Sequence, residues 1–479
     1  MEFVLGVDVG THGVRILVYD LGKKEVVNRI KKDYKRENMS HGHQEMDAID
    51  LEETFLECLN ALTFAEKDKV LGLGITHQRG TVIPVDKDLN PLAAAICDSD
   101  ERAITAGDIE KYGIREEEYY RITGCPLVSF NGLSKILWIM ENDKDLFNKS
   151  YGWLSPQDYL ISRLLGKITV THGSVLRNGY YNIAKRELAK DIFGDNTPDF
   201  IRLDSRGIGE KIGKVKVQDK IARYLEDAYI VSVPGDQPSG LLGSGVADTG
   251  DLAMNLGTTF VLSLLSKKYF LGNKKITNEI LPNGYYAPEF GSGAGGQFMD
   301  WIVELLYGST DIGQVWQELD KLVQTIPPGS DGLCIVPLLW QVTSPNVQGG
   351  IKRISSIHTR AHIVRAAYEG LAYEARISLE TIEEAGKGSD IRVYGGMSSL
   401  LGFLQILANV TNKNIIVSRD KEASALGAAL TAATAIGAFD NIIEASKSRH
   451  DKVEKIIRPK AMEVDYYDRE FERYKRDRG

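Results

Sequence analysis

Two short stretches hold residue types able to act on a phosphate and on a hydroxyl. The first is Gly6-Val-Asp-Val-Gly-Thr-His-Gly-Val-Arg15, where two apolar runs flank a glycine turn. Backbone N–H groups at Gly10 and Gly13 can converge on an anion, and the Thr11 hydroxyl and Arg15 add donors. Asp8, on the first run, faces the same spot, which suits Mg²⁺ held between one carboxylate and phosphate oxygens. A plain glycine hairpin would look the same. The second stretch is Pro234-Gly235-Asp236-Gln237, after the apolar run Tyr229 to Val233. An aspartate on a sharp turn at a strand end can accept a proton from a substrate hydroxyl, or can merely form an Asx-turn. Gly257-Thr258-Thr259 and Gly395-Gly396-Met397-Ser398 are further turns across which a nucleotide could lie. Gly291 to Gln297 reads equally as a linker or as a ligand-approach loop.

These turns need elements to hold them. Phe3 to Val9 and Val14 to Tyr19 read as two strands of a hairpin, Leu51 to Leu62 as a helix, and Val70 to Thr76 and Thr81 to Val85 as strands. Strands and helices alternate onward, an α/β pattern. Near Ser232 the pattern restarts: Asp251 to Leu256, the Gly257-Thr258-Thr259 turn and Phe260 to Leu265 echo the opening hairpin. The echo predicts a duplicated fold with a boundary near 242 to 250. Beyond it come a helix at Ile363 to Ala385, a strand at Ile391 to Tyr394, a helix at Leu400 to Val410 and a strand at Ile415 to Val417. An alanine-rich helix follows, and the charged tail from Glu463 is expected to be a solvated helix or a frayed end.

Composition sets the outer limits. With 479 residues the chain has room for two or three domains, at about 150 residues each. Its 58 Lys and Arg against 66 Asp and Glu give a net charge of −8, which lacks the basic field that binds nucleic acid or anionic membrane non-specifically. No nucleic-acid or membrane partner is expected. The stretch Ala423 to Phe439 carries no charge but is rich in small residues, and reads as a buried helix packing closely. Asp8 inside the first apolar run argues against a secretory leader, so a cytoplasmic location is expected. Cys58, Cys97, Cys125 and Cys334 are scattered without a CxxC pair and read as structural thiols.

Taken in order, the motifs resemble the FGGY family of carbohydrate kinases. The resemblance runs through Gly6 to Arg15, Gly235-Asp-Gln237, Leu256-Gly-Thr-Thr259 and Gly395-Gly396. It includes Phe130 to Asn142 with Lys135-Ile-Leu-Trp138, Asp158-Tyr159 before Gly166, Arg365-Ala-Ala-Tyr-Glu-Gly370 and Glu422-Ala-Ser-Ala-Leu-Gly-Ala-Ala429. It implies two actin-like, ribonuclease-H-like ATPase domains, 1–242 and 243–479, with an ATP and sugar cleft between them. It also implies transfer of the γ-phosphate of MgATP to a small sugar or polyol, and leaves a homodimer open. On this reading ATP is held by Gly10, Thr11, His12, Gly13, Arg15, Gly257, Thr258, Gly395, Gly396 and Met397. Asp8 is linked to Mg²⁺, Asp236 is the general base, and Gln78, Arg79, Phe130, Asp236 and Gln237 meet the sugar.

The substrate segment departs from the pattern. Thr76 to Asp86 is similar to glycerol kinases at Gln78, Arg79 and Thr81, but Gly80 replaces the carboxylate that follows the arginine. Phe130 stands where those kinases place a tyrosine. Each lost hydrogen bond to a polar substrate costs about 1–3 kcal/mol, so glycerol should bind poorly, and Gly80→Glu is expected to move specificity toward it. Xylulose kinases usually have a histidine at Gly80, and that too is missing. In Cys97-Asp-Ser-Asp-Glu-Arg102, Asp98 replaces a family tryptophan, which with Arg79 also looks somewhat like kinases of the autoinducer-2 precursor. The expected substrate is an open-chain ketose or polyol, a pentulose such as xylulose being favoured over autoinducer-2-type and glycerol-type alternatives. Two readings from other classes are a non-catalytic sugar sensor, which should have lost the base or the phosphate turns, and an Hsp70-like chaperone ATPase, which needs a peptide-binding domain after the ATPase cores.

Overall fold

The computed structural model describes the chain apart from residues 36–37, 41–42, 66–67, 101, 104–105, 191, 193–202, 217–222, 309–311 and 340–347. It resolves into two compact units. One comprises Met1–Gly243, Ser266–Pro288 and Ala423–Arg449; the other comprises Ser244–Leu265, Glu289–Glu422 and His450–Gly479.

The first unit is built on a six-stranded sheet in the order Lys211–Lys214, Tyr229–Val231, Lys69–His77, Glu2–Val9, Gly13–Asp20, Glu25–Asp33. Glu2–Val9 pairs antiparallel with Gly13–Asp20 as a hairpin and parallel with Lys69–His77, which is itself parallel to Tyr229–Val231. Three parallel strands therefore end at one edge of the sheet. The expected helix near residue 51 spans Ala48–Asn60 and begins at Asp47, whose carboxylate accepts from the Ile49 and Asp50 amides. Of the expected strand Thr81 to Val85, Ile83–Val85 forms a strand and Val82 bridges to Ile96.

The alanine-rich segment forms the helix Ala423–Ala435, almost wholly buried, as its composition predicts. Glycines let it approach very closely. A Cβ at Gly6 would lie 2.0 Å from the Ala425 carbonyl oxygen, one at Gly74 2.5 Å from that of Ala428, and one at Gly243 1.9 Å from that of Ala423.

The second unit repeats the opening pattern. Leu252–Leu256 pairs antiparallel with Phe260–Leu264 and parallel with Ile391–Tyr394, which is parallel to Ile415–Ser418. A hairpin beside parallel strands recurs here, as the sequence echo predicts.

The tail is a helix, one of the two forms expected, but it is docked and not solvated. Ala461–Arg478 is a helix with Val464, Tyr467, Phe471 and Tyr474 buried on one face. Their spacing of three, four and three residues is that of a helical stripe, obscured in the sequence by the surrounding charges. It docks on the helix Arg360–Glu383. The Tyr467 hydroxyl donates to Glu369 at 2.8 Å, and Tyr474 and Arg478 both donate to Glu374 at 2.6 Å. The Glu374 side chain is only 1% exposed, so these donors stand in for the water it gives up on folding. Glu374→Gln removes the carboxylate to which Arg478 Nε and Nη2 both donate and is expected to cost about 3 kcal/mol, read as a lower urea midpoint. An unchanged midpoint would show that the tail adds nothing to stability.

Candidate active site

The first glycine turn lies at the end of two neighbouring parallel strands. Asp8 is in register with Thr76 and Val9 with His77, the Gln78 amide donates to the Val9 carbonyl at 2.8 Å, and Thr76 Oγ1 donates to the Pro234 carbonyl at 2.9 Å. The strand ends carrying Asp8, Gln78 and Asp236 are thus stitched together. Asp8 and Arg15 face each other across the hairpin, with Arg15 Nη1 3.2 Å from Asp8 Oδ2. A single carboxylate beside an arginine at an exposed turn suits Mg²⁺ held jointly with phosphate oxygens. Among the described residues no group of three or more His, Cys, Asp or Glu could hold a metal ion alone.

The turn itself corrects one expectation. The Gly10 amide donates to the Gly13 carbonyl at 3.0 Å, so that N–H closes the turn and does not point to an anion. Neither Gly10 nor Gly13 has positive φ. Gly13 is needed for strand approach instead, since a Cβ there would meet the Lys32 carbonyl oxygen at 2.2 Å. The exposed residues at the tip are Thr11 and His12.

Asp236 opens the helix Asp236–Gly243, where a negative charge is favourable. Arg79 Nε donates to Asp236 Oδ1 at 2.9 Å, and Gln237 Nε2 donates to Asp236 Oδ2 at 3.1 Å. The Arg79 stem crosses directly over Gly235, where a Cβ would fall 2.4 Å from Arg79 Cδ. The other end of the guanidinium donates through Nη1 to Glu279, on the strand Thr277–Ile280. The sequence reading did not single out Glu279, because no motif surrounds it and it lies 200 residues from its partner.

Around this cluster the polar groups are buried. The Gln78 side-chain amide has no hydrogen-bond partner among the described residues, as befits a group awaiting a polar ligand. His77 is completely buried; desolvation first, and the Arg79 charge second, push its imidazole down to about 3, so it is neutral near pH 7. Lys135, also fully buried, donates to the Ser129 carbonyl at 2.9 Å, and burial pushes its ammonium down to about 8. Asp98 lies within electrostatic reach of Lys135, Asp236 and Arg177, and its carboxyl is raised, chiefly by desolvation. Glu101 of the same segment lies outside the described residues.

Gly80 overturns the expectation placed on it. It has φ +82°, and a Cβ there would lie 1.8 Å from the Phe130 carbonyl oxygen. Phe130 itself is half-buried, with its backbone against that glycine. No glutamate fits this position, and the carboxylate that meets Arg79 comes from Glu279 instead.

In the second unit Gly257, Thr258 and Thr259 link two strands, and the stretch after Gly291 packs onto them. The Gly296 amide donates to the Gly257 carbonyl at 2.8 Å and the Gln297 amide to that of Thr258 at 3.1 Å. A Cβ on Gly295 would come within 2.5 Å of the Thr258 carbonyl oxygen, so the stretch is a fitted loop and not a linker. Gly395, at φ +91°, abuts Asn255 and Leu256, which brings the two glycine turns side by side at neighbouring parallel strand ends. The space at Gly396 is open, whereas the Met397 side chain is buried in the core.

Each unit thus carries its turns at the ends of parallel strands beside a hairpin, the arrangement of a two-domain actin-like ATPase. Models of the N-terminal and C-terminal domains of the FGGY family of carbohydrate kinases match residues 3–243 and 244–436. The chain belongs to that family, and is an ATP-dependent sugar kinase. It is 27% identical to a xylulose kinase of Haemophilus influenzae over 98% of both chains, and 26% identical to that of Bacillus subtilis over 99% and 96%. In fold it is similar to a ligand-bound xylulose kinase from Lactobacillus acidophilus, with a TM-score of 0.87 at 20% identity, covering 100% and 98% of the two chains. It is also similar to Plasmodium falciparum glycerol kinase with ADP, at 0.82 and 20% over 100% and 98%. No described helix is long and apolar enough to cross a membrane.

The geometry at Gly80 makes a direct prediction. Gly80→Ala should lose at least about 1–3 kcal/mol of stability and sugar turnover with it, because the backbone strain and the Phe130 contact act together. Gly80→Glu should be worse and gain no preference for glycerol. A Gly80→Ala protein with wild-type melting and kinetics would show that the Phe130 turn yields freely.

Proposed function

We propose that the chain phosphorylates a neutral open-chain ketose, a pentulose of the xylulose type, with Asp236 as general base. The observation that carries this reading is the Asp236 carboxylate at a strand-end turn, with Arg79 on one oxygen and only the neutral Gln237 amide on the other. Oδ2 is the oxygen free to exchange an amide for a substrate hydroxyl. It takes the proton of the primary hydroxyl as that oxygen attacks the γ-phosphorus; the bond to the bridging oxygen breaks and ADP leaves. Full-length likeness to proteins named xylulose kinase supports the substrate class. Around Asp236, the Arg79 guanidinium is already engaged by two carboxylates, those of Asp236 and Glu279, a setting that disfavours an acidic sugar.

In this reading residues 1–242 supply the sugar-facing groups Gln78, Arg79, Phe130 and Gln237, together with the phosphate turn at Thr11, His12 and Arg15. Residues 243–479 supply the nucleotide turns at Gly257, Thr258, Gly395 and Gly396. Asp8 would hold Mg²⁺, which when bound neutralises charge on the phosphate oxygens. The absence at Gly80 of the histidine usual in xylulose kinases favours one second reading, the autoinducer-2 precursor.

A coupled ADP-release assay over xylulose, ribulose, glycerol, erythritol, gluconate and that precursor should give the highest kcat/KM with a pentulose. Asp236→Asn should lower kcat on the best substrate by about 10²–10⁴-fold and leave ATP affinity nearly unchanged. Near wild-type kcat in this variant would reduce Asp236 to a turn-former.

A further inference from the structure

We infer that Glu279 is a positioning residue for the phosphoryl-transfer base: it anchors the far end of Arg79, whose near end holds Asp236. The inference rests on the reading of Asp236 as that base. The Arg79 side chain is 8% exposed and that of Glu279 only 2%, so the guanidinium and its second carboxylate are both taken out of water. A buried arginine paired with Asp236 alone would concentrate its whole charge on the base, holding it ionised and its oxygen poorly able to accept a proton. With Glu279 on Nη1 and Asp236 on Nε, that charge is shared. The same clamp sets direction. Arg79 spans the two carboxylates across Gly235, so its stem cannot swing without breaking one pair or the other.

Glu279 takes the place of a carboxylate that the chain cannot carry next to Arg79, since Gly80 is closed to any side chain by Phe130. Its strand is held independently of the ion pair. Asn278 Nδ2 donates to the Gly124 carbonyl at 3.0 Å, and Arg177 Nη1 donates to Thr277 Oγ1 at 3.0 Å. Glu279 is therefore presented by a fixed strand.

The charged and titratable groups facing Asp236 are Arg79 from the end of the strand Lys69–His77, Asp98 from the loop after Ala95–Ile96, and Glu279 beyond Arg79. Cys125 lies near Glu279 with Arg177 beside it, Lys135 lies near Asp98, and the neutral His77 lies near Arg79. Removing the Glu279 charge takes a negative charge from beside Arg79 and from the surroundings of Asp236, so the Arg79 cation bears more strongly on Asp236. The acid limb of the kcat profile should then move to lower pH.

The test is the pH dependence of kcat with the best sugar at saturating MgATP. Glu279→Gln is expected to lower kcat about tenfold or more and to move the acid limb down by about one pH unit. Glu279→Asp keeps the charge and should hold the limb at its wild-type position with only partial recovery of kcat. Glu374→Gln, which weakens the remote tail contact, should lose stability without moving the limb. Two outcomes overturn the inference: a folded Glu279→Gln enzyme with the wild-type profile, or, should that variant not fold, a Glu279→Asp enzyme with wild-type kcat. Asp236→Asn separates the two levels. If it stays active, the reading of the base fails; if it is dead while Glu279→Gln keeps the wild-type profile, only the role of Glu279 fails.

Discussion

The close approach of the helix Ala423–Ala435 to backbone at Gly6, Gly74 and Gly243 is the constraint on which the first unit depends. At each point a Cβ would fall 2.5 Å or less from a helix carbonyl oxygen, far inside any real contact. The reverse holds at Gly427, where a Cβ would meet the Ser239 carbonyl oxygen at 1.8 Å. Two of the parallel strands and the Asp236 helix therefore rest on one helix at backbone distance. That packing sets the height of Asp236 against the strand ends carrying Asp8 and Gln78. Larger side chains at these positions would separate the layers before they touched any functional group.

Above that platform the chemistry is organised by charge. Arg79 lies between Asp236 and Glu279, and each carboxylate takes a different nitrogen of the guanidinium. An arginine suits this place because its fixed fork can serve two acceptors at once, which a lysine cannot do with the same direction. The consequence for the Asp236 carboxylate is asymmetric: one oxygen accepts from a cation and the other from a neutral amide.

Much of this was legible from residue types and spacing. The hairpin at Gly6 to Arg15, its echo at Leu252 to Leu264, the strand before Gly395 and the buried alanine-rich helix all follow from apolar runs broken by glycine. The aspartate at 236 stood out because it follows an apolar strand and a Pro-Gly turn. The tail did not, since its stripe of Val464, Tyr467, Phe471 and Tyr474 is thinly spread among charges, and the glutamates that receive its hydroxyls lie some hundred residues upstream. Gly80 was misleading for a different reason. As a letter it looks like a missing carboxylate, whereas its φ and the Phe130 carbonyl make glycine the residue that fits.

By itself, the sequence determined the local order of strands, turns and helices and the types of group at the turns, because periodicity and glycine placement act over a few residues. It also determined the family, whose motifs run in register along nearly the whole chain. Only the tertiary structure decided which distant groups share a charge or a surface. It carried Ala423–Arg449 back into the unit that contains Asp236, brought Glu279 to Arg79 across 200 residues, and spent the Gly10 amide within its own turn. Such pairings rest on sheet order and on the space between backbones, quantities that no window of sequence contains.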